Sequence, residues 1–284
     1  MEPVFLEPLV PPRISITPDT QNLPDKRNIA LPEVGISGVL CPLEIGGWER
    51  SPSAIQKVTA DVSLSVNLAA SRKGIHMSRL VENISKWKKA FDCHSLESFL
   101  KEVCQKQESQ SARIKISFTY FLEKTSPLSG KTAPQGYLSV YEASLSTSGF
   151  TFEPSVEVPV MTLCPCSKEI SDYGAHSQRA IVRVRTRPLL DRANTSLFPT
   201  VQEMVDYIEA SASSPVYPLL KRDDERLVTM RAYDHPVFVE DLIRNVVRAL
   251  QKDQRISCFQ AEVINQESIH AHDAFARFES SVES

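Results

Sequence analysis

Between Pro159 and Arg187 the chain reads PVMTLCPCSKEISDYGAHSQRAIVRVRTR. Cys164 and Cys166 stand one residue apart, and His176 returns twelve residues after Cys164 through an acidic, Ser-rich turn containing Gly174. A thiolate and an imidazole brought together can hold a divalent metal, and a thiolate alone can act as a nucleophile. Cysteines near a strand end are often only small buried hydrophobes, and C-x-C is not a zinc-ribbon spacing. The density of polar groups points to chemistry instead. Ser167, Lys168, Glu169, Asp172, Gln178 and Arg179 crowd into the same sixteen positions as the two thiols and His176. Two further histidines, His270 and His272, alternate in SIHAH. On a strand edge, which is where that segment is expected, a period of two turns both to one face. The glycines are too few and too dispersed for a phosphate-cradling loop.

These residues need elements to position them. Ser155 to Thr162 alternates and is expected to be the strand that delivers Cys164; Arg179 to Thr186 alternates and leads away. Upstream, Val58 to Leu68 is expected as a strand, and helical spacing begins at Met77 and again over Ser95 to Gln107. Strands follow over Ile114 to Tyr120 and Tyr137 to Leu145. In the second half Val201, Met204, Val205 and Ile208 mark a helix. A long loop containing SSPVYPLLKRDDER then leads to a helix that buries Val239, Leu242, Ile243, Val246 and Leu250. Strands near Ile256 to Ile264 and His272 to Phe278 close the chain. The order strand–strand–helix–helix–strand–strand is thus read twice, an α+β class with one layer of antiparallel sheet and one of helices. Residues 1–50, rich in Pro, read as an extended and irregular lead-in; 51–150 and 151–284 are the two modules, the second carrying the Cys/His cluster.

Composition narrows the function. At 284 residues the chain can bury a full core, and its 32 basic against 35 acidic side chains, net −3, argue against general nucleic-acid binding. No apolar run approaches the roughly 18 to 20 residues of a membrane span. The opening MEPVFLEPLVPPR lacks a basic start followed by an apolar stretch, so no secretory signal is expected. Six scattered cysteines do not make a disulfide framework, and free thiols in the cytoplasm are expected.

CPCSKEISDYGAHSQR closely resembles the signature of the type IB GTP cyclohydrolases, a family of the tunnelling fold. LPDKRNI, KGIHMSRL, YPLLKRDDERLVT, FVEDLIRNV and ESIHAH extend the resemblance from about Leu23 onward. It implies tandem modules whose sheets join others around a barrel, and a homo-oligomer, a tetramer, with its sites at subunit interfaces. It implies opening of the imidazole ring of GTP by water at C8, release of formate, and reclosure to 7,8-dihydroneopterin triphosphate, the entry step to folate. A divalent metal (zinc, iron or manganese) would activate the water, and imidazoles would move protons. Carried onto this chain, Cys164 is a metal ligand or catalytic thiol, and His176 a ligand or a hydrogen-bond partner beside the metal. His270 and His272 join them in catalysis. His270 is the expected third ligand, although the residues leave open which of the two ligates. Cys166 is a supporting or structural thiol. Lys168, Arg179, Lys221 and Arg222 are candidates for the triphosphate, which needs paired donors. His76 and Arg79, in KGIHMSR, either line the site or serve a helix start.

The chain departs from the family pattern twice. Pro215 and Met230 stand where the resemblance leads one to expect glutamates, the first at the metal site and the second on the purine edge. Met cannot accept from two adjacent N–H groups at once as a carboxylate does, and Pro has no ligand atom in its side chain. Asp223, Asp224, Glu225, Asp234 and His235 lie in the same stretch and could compensate. Three readings follow: a GTP cyclohydrolase; an enzyme of the same fold acting on another purine or pterin nucleotide or halting after ring opening; and a non-catalytic relative that binds a ligand or partner.

Overall fold

Apolar–polar alternation drives most of the chain into strands. The computed structural model describes residues 19–46, 55–189 and 198–280. The first half runs β1 (Leu31–Ile45), β2 (Gln56–Leu68), α1 (Met77–Lys86), α2 (Cys93–Gln107), β3 (Ala112–Thr125) and β4 (Thr132–Ser146). The second runs β5 (Gly149–Leu163), α3 (Pro165–Ile170), β6 (Ser177–Pro188), α4 (Val201–Ser211), β7 (Ser214–Pro215), α5 (Arg222–Asp234), α6 (Val239–Gln251), β8 (Ile256–Gln266) and β9 (Ala274–Glu279). All strands join one antiparallel sheet in the order β1-β2-β3-β4-β5-β6-β8-β9, with the two-residue β7 paired to β5.

One face of the sheet carries the helices. Ile114, Ile116 and Phe118 of β3, Val156, Val158 and Val160 of β5, and Val182 and Val184 of β6 are buried there, with Leu96, Phe99 and Leu100 of α2 and Leu242, Val246 and Leu250 of α6 in the same core. Each such side chain contributes about 1.5–3 kcal/mol by leaving water. An edge-to-face run, Phe118–Tyr141–Phe152–Phe198, with centroids 5.1, 5.2 and 5.9 Å apart, ties β3 through β5 to the segment before α4.

The other face is charged. Arg113 and Arg185 meet Glu142, Arg187 meets Glu153, and Arg183 bridges Glu157 and Glu262, the last 3.0 Å away. The R-x-R-x-R of β6 is one row of this ladder, alternating with Val182, Val184 and Thr186, which point into the core. Partly exposed ion pairs of this kind add little stability each.

The structure corrects four local expectations. Residues 31–45 are not irregular: β1 is 15 residues long and pairs with β2 from Leu31–Leu68 to Ile45–Gln56. Its pattern is hidden by two register shifts, by prolines, and by Gly35, where a Cβ would stand 2.1 Å from the Leu64 carbonyl oxygen. The stretch after Cys164 is a short helix rather than a turn, and the DDER of the expected long loop opens a 13-residue helix, α5. His270 and His272 are not on a strand; they occupy bends between β8 and β9. Residues 1–18, read as lead-in, lie outside the described residues. No helix among the described residues is long and apolar enough to cross a membrane.

Candidate active site

Strand β5 ends at Leu163 because Pro165 cannot continue a ladder but suits a first helical position. Cys164 therefore becomes the N-cap of α3, its Sγ accepting from the Ser167 backbone N–H at 3.4 Å. The chain turns back through Gly174, at φ +76°, a conformation that glycine adopts without strain. Two contacts close the excursion. The Cys164 N–H donates to the His176 carbonyl at 3.1 Å, and the His176 N–H to Ser167 Oγ at 3.3 Å. The thiol and the imidazole expected from sequence are thus neighbours held by backbone.

The imidazole of His176 is also oriented. Its Nδ1 lies 2.9 Å from Gln178 Oε1, while Gln178 Nε2 donates to Thr162 Oγ1 at 3.1 Å. Thr162 stands directly opposite Gln178 in the β5–β6 pairing, and both are buried. In the neutral tautomer that donates from Nδ1 to this amide oxygen, Nε2 keeps the lone pair, the form that ligates a metal. Gln178 was noticed in the sequence only as one polar group among many. Its place two residues after His176, on a strand, was the available signal.

His270 is brought to the same place. Its ring centroid is 6.4 Å from that of His176, and that of His272 is 5.2 Å from His270. With nitrogen ligands at ~2.1 Å, two imidazoles on one tetrahedral zinc have centroids roughly 5.3 Å apart, so His176 and His270 are neighbours that stand about 1 Å wider than two ligands of one ion. Among the described residues no three His, Cys, Asp or Glu side chains are grouped so that they could hold a metal ion. The donor types present, a soft thiolate and imidazoles, are those that a divalent transition metal takes.

The wall facing Cys164 comes from the end of α5. Lys168 Nζ donates to the Tyr233 carbonyl at 2.6 Å and lies 4.2 Å from the Tyr233 ring centroid. The Val237 N–H donates to the Leu163 carbonyl at 3.1 Å, which pins the turn after α5 against the last residue of β5. Between these anchors His235 caps the helix, its Nδ1 2.9 Å from the Arg231 carbonyl. Ile170 and Tyr173, in the α3–β6 segment, are 84% and 95% exposed.

The other candidates are dispersed. Arg179 lies on the exposed, charged face of the sheet, the side opposite Gln178. Lys221 and Arg222 start α5, where the Lys221 N–H donates to Asp224 and Asp224 accepts from Leu128 and Ser129. Thirteen helical residues, about 20 Å at ~1.5 Å each, separate them from the end that meets Lys168. Within one chain, the basic pair and Cys164 are therefore not brought together. Cys166 is exposed on α3. His76 precedes α1, its Nε2 3.3 Å from Asp19. Pro215 is buried on β7 against Val160, and Met230 is exposed on α5 one turn before Tyr233 and Asp234.

Residues 17–276 match the family model described as Type I GTP cyclohydrolase folE2. GTP cyclohydrolase FolE2 of Maridesulfovibrio salexigens is 40% identical over 258 residues, covering 91% of this chain and 97% of its own. The protein of the same name from Aromatoleum aromaticum is 39% identical over 263 residues, 92% of this chain and 93% of its own. Among solved structures, the uricase of Arthrobacter globiformis superposes with a TM-score of 0.52 at 11% identity, covering 87% of this chain and 92% of that one. The Bacillus fastidious uricase gives 0.52 at 8%, with the same coverage. At such identities the likeness is one of fold, and the fold is the α+β tunnelling fold with its two tandem sheet-and-helix modules.

Proposed function

The chain belongs to the type I GTP cyclohydrolase FolE2 family, and from that premise we propose that it hydrolyses GTP at C8 to formate and 7,8-dihydroneopterin triphosphate, for folate synthesis. The observation that carries this to the residues is the Cys164–His176 pair, closed by backbone hydrogen bonds and faced by His270 at 6.4 Å between rings.

Cys164, His176 and His270 hold the metal in this reading. A divalent ion there lowers the pKa of water toward neutrality and so supplies the nucleophile for C8. Zinc suits the thiolate and imidazoles best, with iron and manganese as the alternatives. Gln178 and Thr162 keep the His176 lone pair aimed away from the strand pair. His272, 5.2 Å from His270, is placed to pass protons to the ring nitrogens as the C8–N bonds break. Lys168 meets phosphate oxygens from the Cys164 side. Lys221 and Arg222, remote from it within one chain, and Arg179, on the opposite face of the sheet, serve the triphosphate across a subunit boundary. That arrangement requires a homo-oligomer, which we read as a tetramer in the cytoplasm. The modules meet between β4 and β5, near residue 150, and β1 belongs to the first of them rather than to a lead-in.

Met230 and Pro215 favour a second reading, an enzyme of this fold with altered purine recognition. Pro215 is buried against Val160 with no acceptor atom in its ring, and Met230 on α5 offers only a weakly accepting sulfur in place of a bidentate carboxylate. A site that loses a bidentate acceptor loses several powers of ten in discrimination for the group it bound.

One experiment separates the readings. Metal-reconstituted protein is incubated with GTP under reducing, anaerobic conditions, and formate and pterin fluorescence are followed together for wild type and Cys164→Ala. Both products, lost together in the variant, are expected. Formate without a pterin means a reaction that stops after ring opening. Neither product, across zinc, iron and manganese, overturns GTP as the substrate.

A further inference from the structure

Leu163, the last residue before Cys164, is held by more than its sheet neighbours. Strand β6 pairs with β5 along one side as far as Leu163, whereas the pairing with β4 on the other side ends at Val156. The Cys164 N–H points to the His176 carbonyl, on the β6 side. Successive residues of an antiparallel pair alternate in direction, so the N–H and C=O of Leu163 both face the side that β4 has left. The two residues of β7 cover Val160 and Met161 there, with Ser214 opposite Met161. Beyond them, Ser213 Oγ accepts from the Leu163 N–H at 3.1 Å, and the Val237 N–H donates to the Leu163 carbonyl at 3.1 Å. Ser213 is fully buried between α4 and β7, and it stands 50 positions from Leu163, which is buried as well. A buried N–H left without a partner carries the full cost of its desolvation. Ser213 has no place among the site residues expected from sequence.

We infer that Ser213 is a positioning residue for Cys164: its hydroxyl completes the clamp on Leu163 that sets the direction in which β5 delivers the thiol. The inference rests on the reading given above, in which Cys164 is the reacting or ligating thiol. Ser213 and Val237 fix the backbone leading into Cys164, and the contact of Sγ with the Ser167 N–H fixes its side chain. A displacement of about 1 Å at a reacting group costs roughly 10²-fold in rate, which is the reason to hold it from three segments.

A hydroxyl that serves only the folding of the α4–β7 junction is the competing explanation. Ser213→Ala removes the acceptor and Ser213→Thr keeps it; circular dichroism and thermal melts establish that each is folded. If Ser213→Ala does not fold, Ser213→Cys, of similar shape and weaker acceptor, takes its place. Alkylation of Cys164 by iodoacetamide is timed by mass spectrometry in a Cys166→Ser background, where the segment carries one thiol. The kcat and KM for GTP are measured with Cys166 intact. Cys164 is half-buried, and without its clamp it opens to solvent more often. Folded Ser213→Ala is therefore expected to be alkylated about 3-fold or more faster, and to lose about 10- to 100-fold in kcat with KM within about 2-fold. Thr should restore both toward wild type. A lower melting temperature with wild-type alkylation and kcat in Ser213→Ala overturns the inference, as do equal changes in folded Ala and Thr variants. Faster alkylation in Ser213→Ala, from a wild type that turns over no GTP, overturns the GTP reading and supports the inference.

Discussion

Gln178 Oε1 lies 2.9 Å from His176 Nδ1, and the same amide reaches Thr162 on the neighbouring strand at 3.1 Å. A contact between β5 and β6 thereby orients the His176 ring and occupies its Nδ1, leaving Nε2 for a metal. Gln178→Leu removes the acceptor while preserving buried volume, and metal affinity and kcat/KM are expected to fall by about 10- to 100-fold. Gln178→Glu, which still accepts, should retain more of both. Metal titration with steady-state kinetics checks this, and equal losses in the two variants would contradict the orienting role.

Lys124 and Glu209 form an ion pair between β3 and α4 with both side chains largely buried, and the Lys124 ammonium lies 4.8 Å from the Tyr217 ring centroid. Burial pushes the Glu209 carboxyl up and the Lys124 ammonium down, and each partner opposes the other's shift. Lys124→Met alone strands a buried carboxylate and should cost about 3–5 kcal/mol. The double variant Lys124→Met with Glu209→Leu should recover most of that loss in urea melts. Additive losses would mean that the pair is not coupled.

Asp224, fully buried at the start of α5, accepts from the backbone N–H groups of Ser129, Leu128 and Lys221 at 2.9, 2.8 and 2.9 Å. Burial works against its charge, but these donors, led by Ser129, outweigh it and hold the carboxyl well below the usual range. The unfolded chain, whose carboxyl titrates near ~3.9, then binds the extra proton first as pH falls. Stability from Asp224 is complete above that range and drains away as pH drops toward the lowered value. Asp224→Asn should melt below wild type at pH 7, with a gap that narrows on acidification to about pH 3. A gap independent of pH would refute the linkage.

Lys221 and Arg222 stand about 20 Å along α5 from the end that meets Lys168. If they hold the triphosphate, the double change to Glu should raise KM for GTP by about 10- to 100-fold, the value of one or two charge-assisted bonds, with little change in kcat. Because the site would span copies, mixing this variant with Cys164→Ala after dissociation and reassembly should restore part of the activity. No recovery in demonstrably mixed oligomers would place the whole site within one chain.

Much of this was legible in one dimension. Val58 to Leu68 and Ile114 to Tyr120 are strands because every second side chain is apolar, a local property that the sheet only had to accept. The α6 stripe, Leu242, Ile243, Val246 and Leu250, was legible for the same reason. Strand β1 was not, since as an edge strand its burial alternation is weak and its register shifts break the period. Nor were the bends at His270 and His272, where two-residue spacing imitates a strand without hydrogen-bonded neighbours.

By itself the sequence determined the family, the α+β class and the nearness of Cys164 to His176, because a Pro after the thiol and a Gly before the imidazole close that excursion locally. Only the tertiary structure decided which side chain orients the His176 ring, that α5 folds its C-terminal end onto Leu163, and that Lys221 and Arg222 stand apart from Cys164 in their own chain. Those outcomes depend on strand register and helix packing between residues tens of positions apart. Such contacts leave no period in the sequence, since each partner's identity is compatible with many neighbours until the sheet selects one.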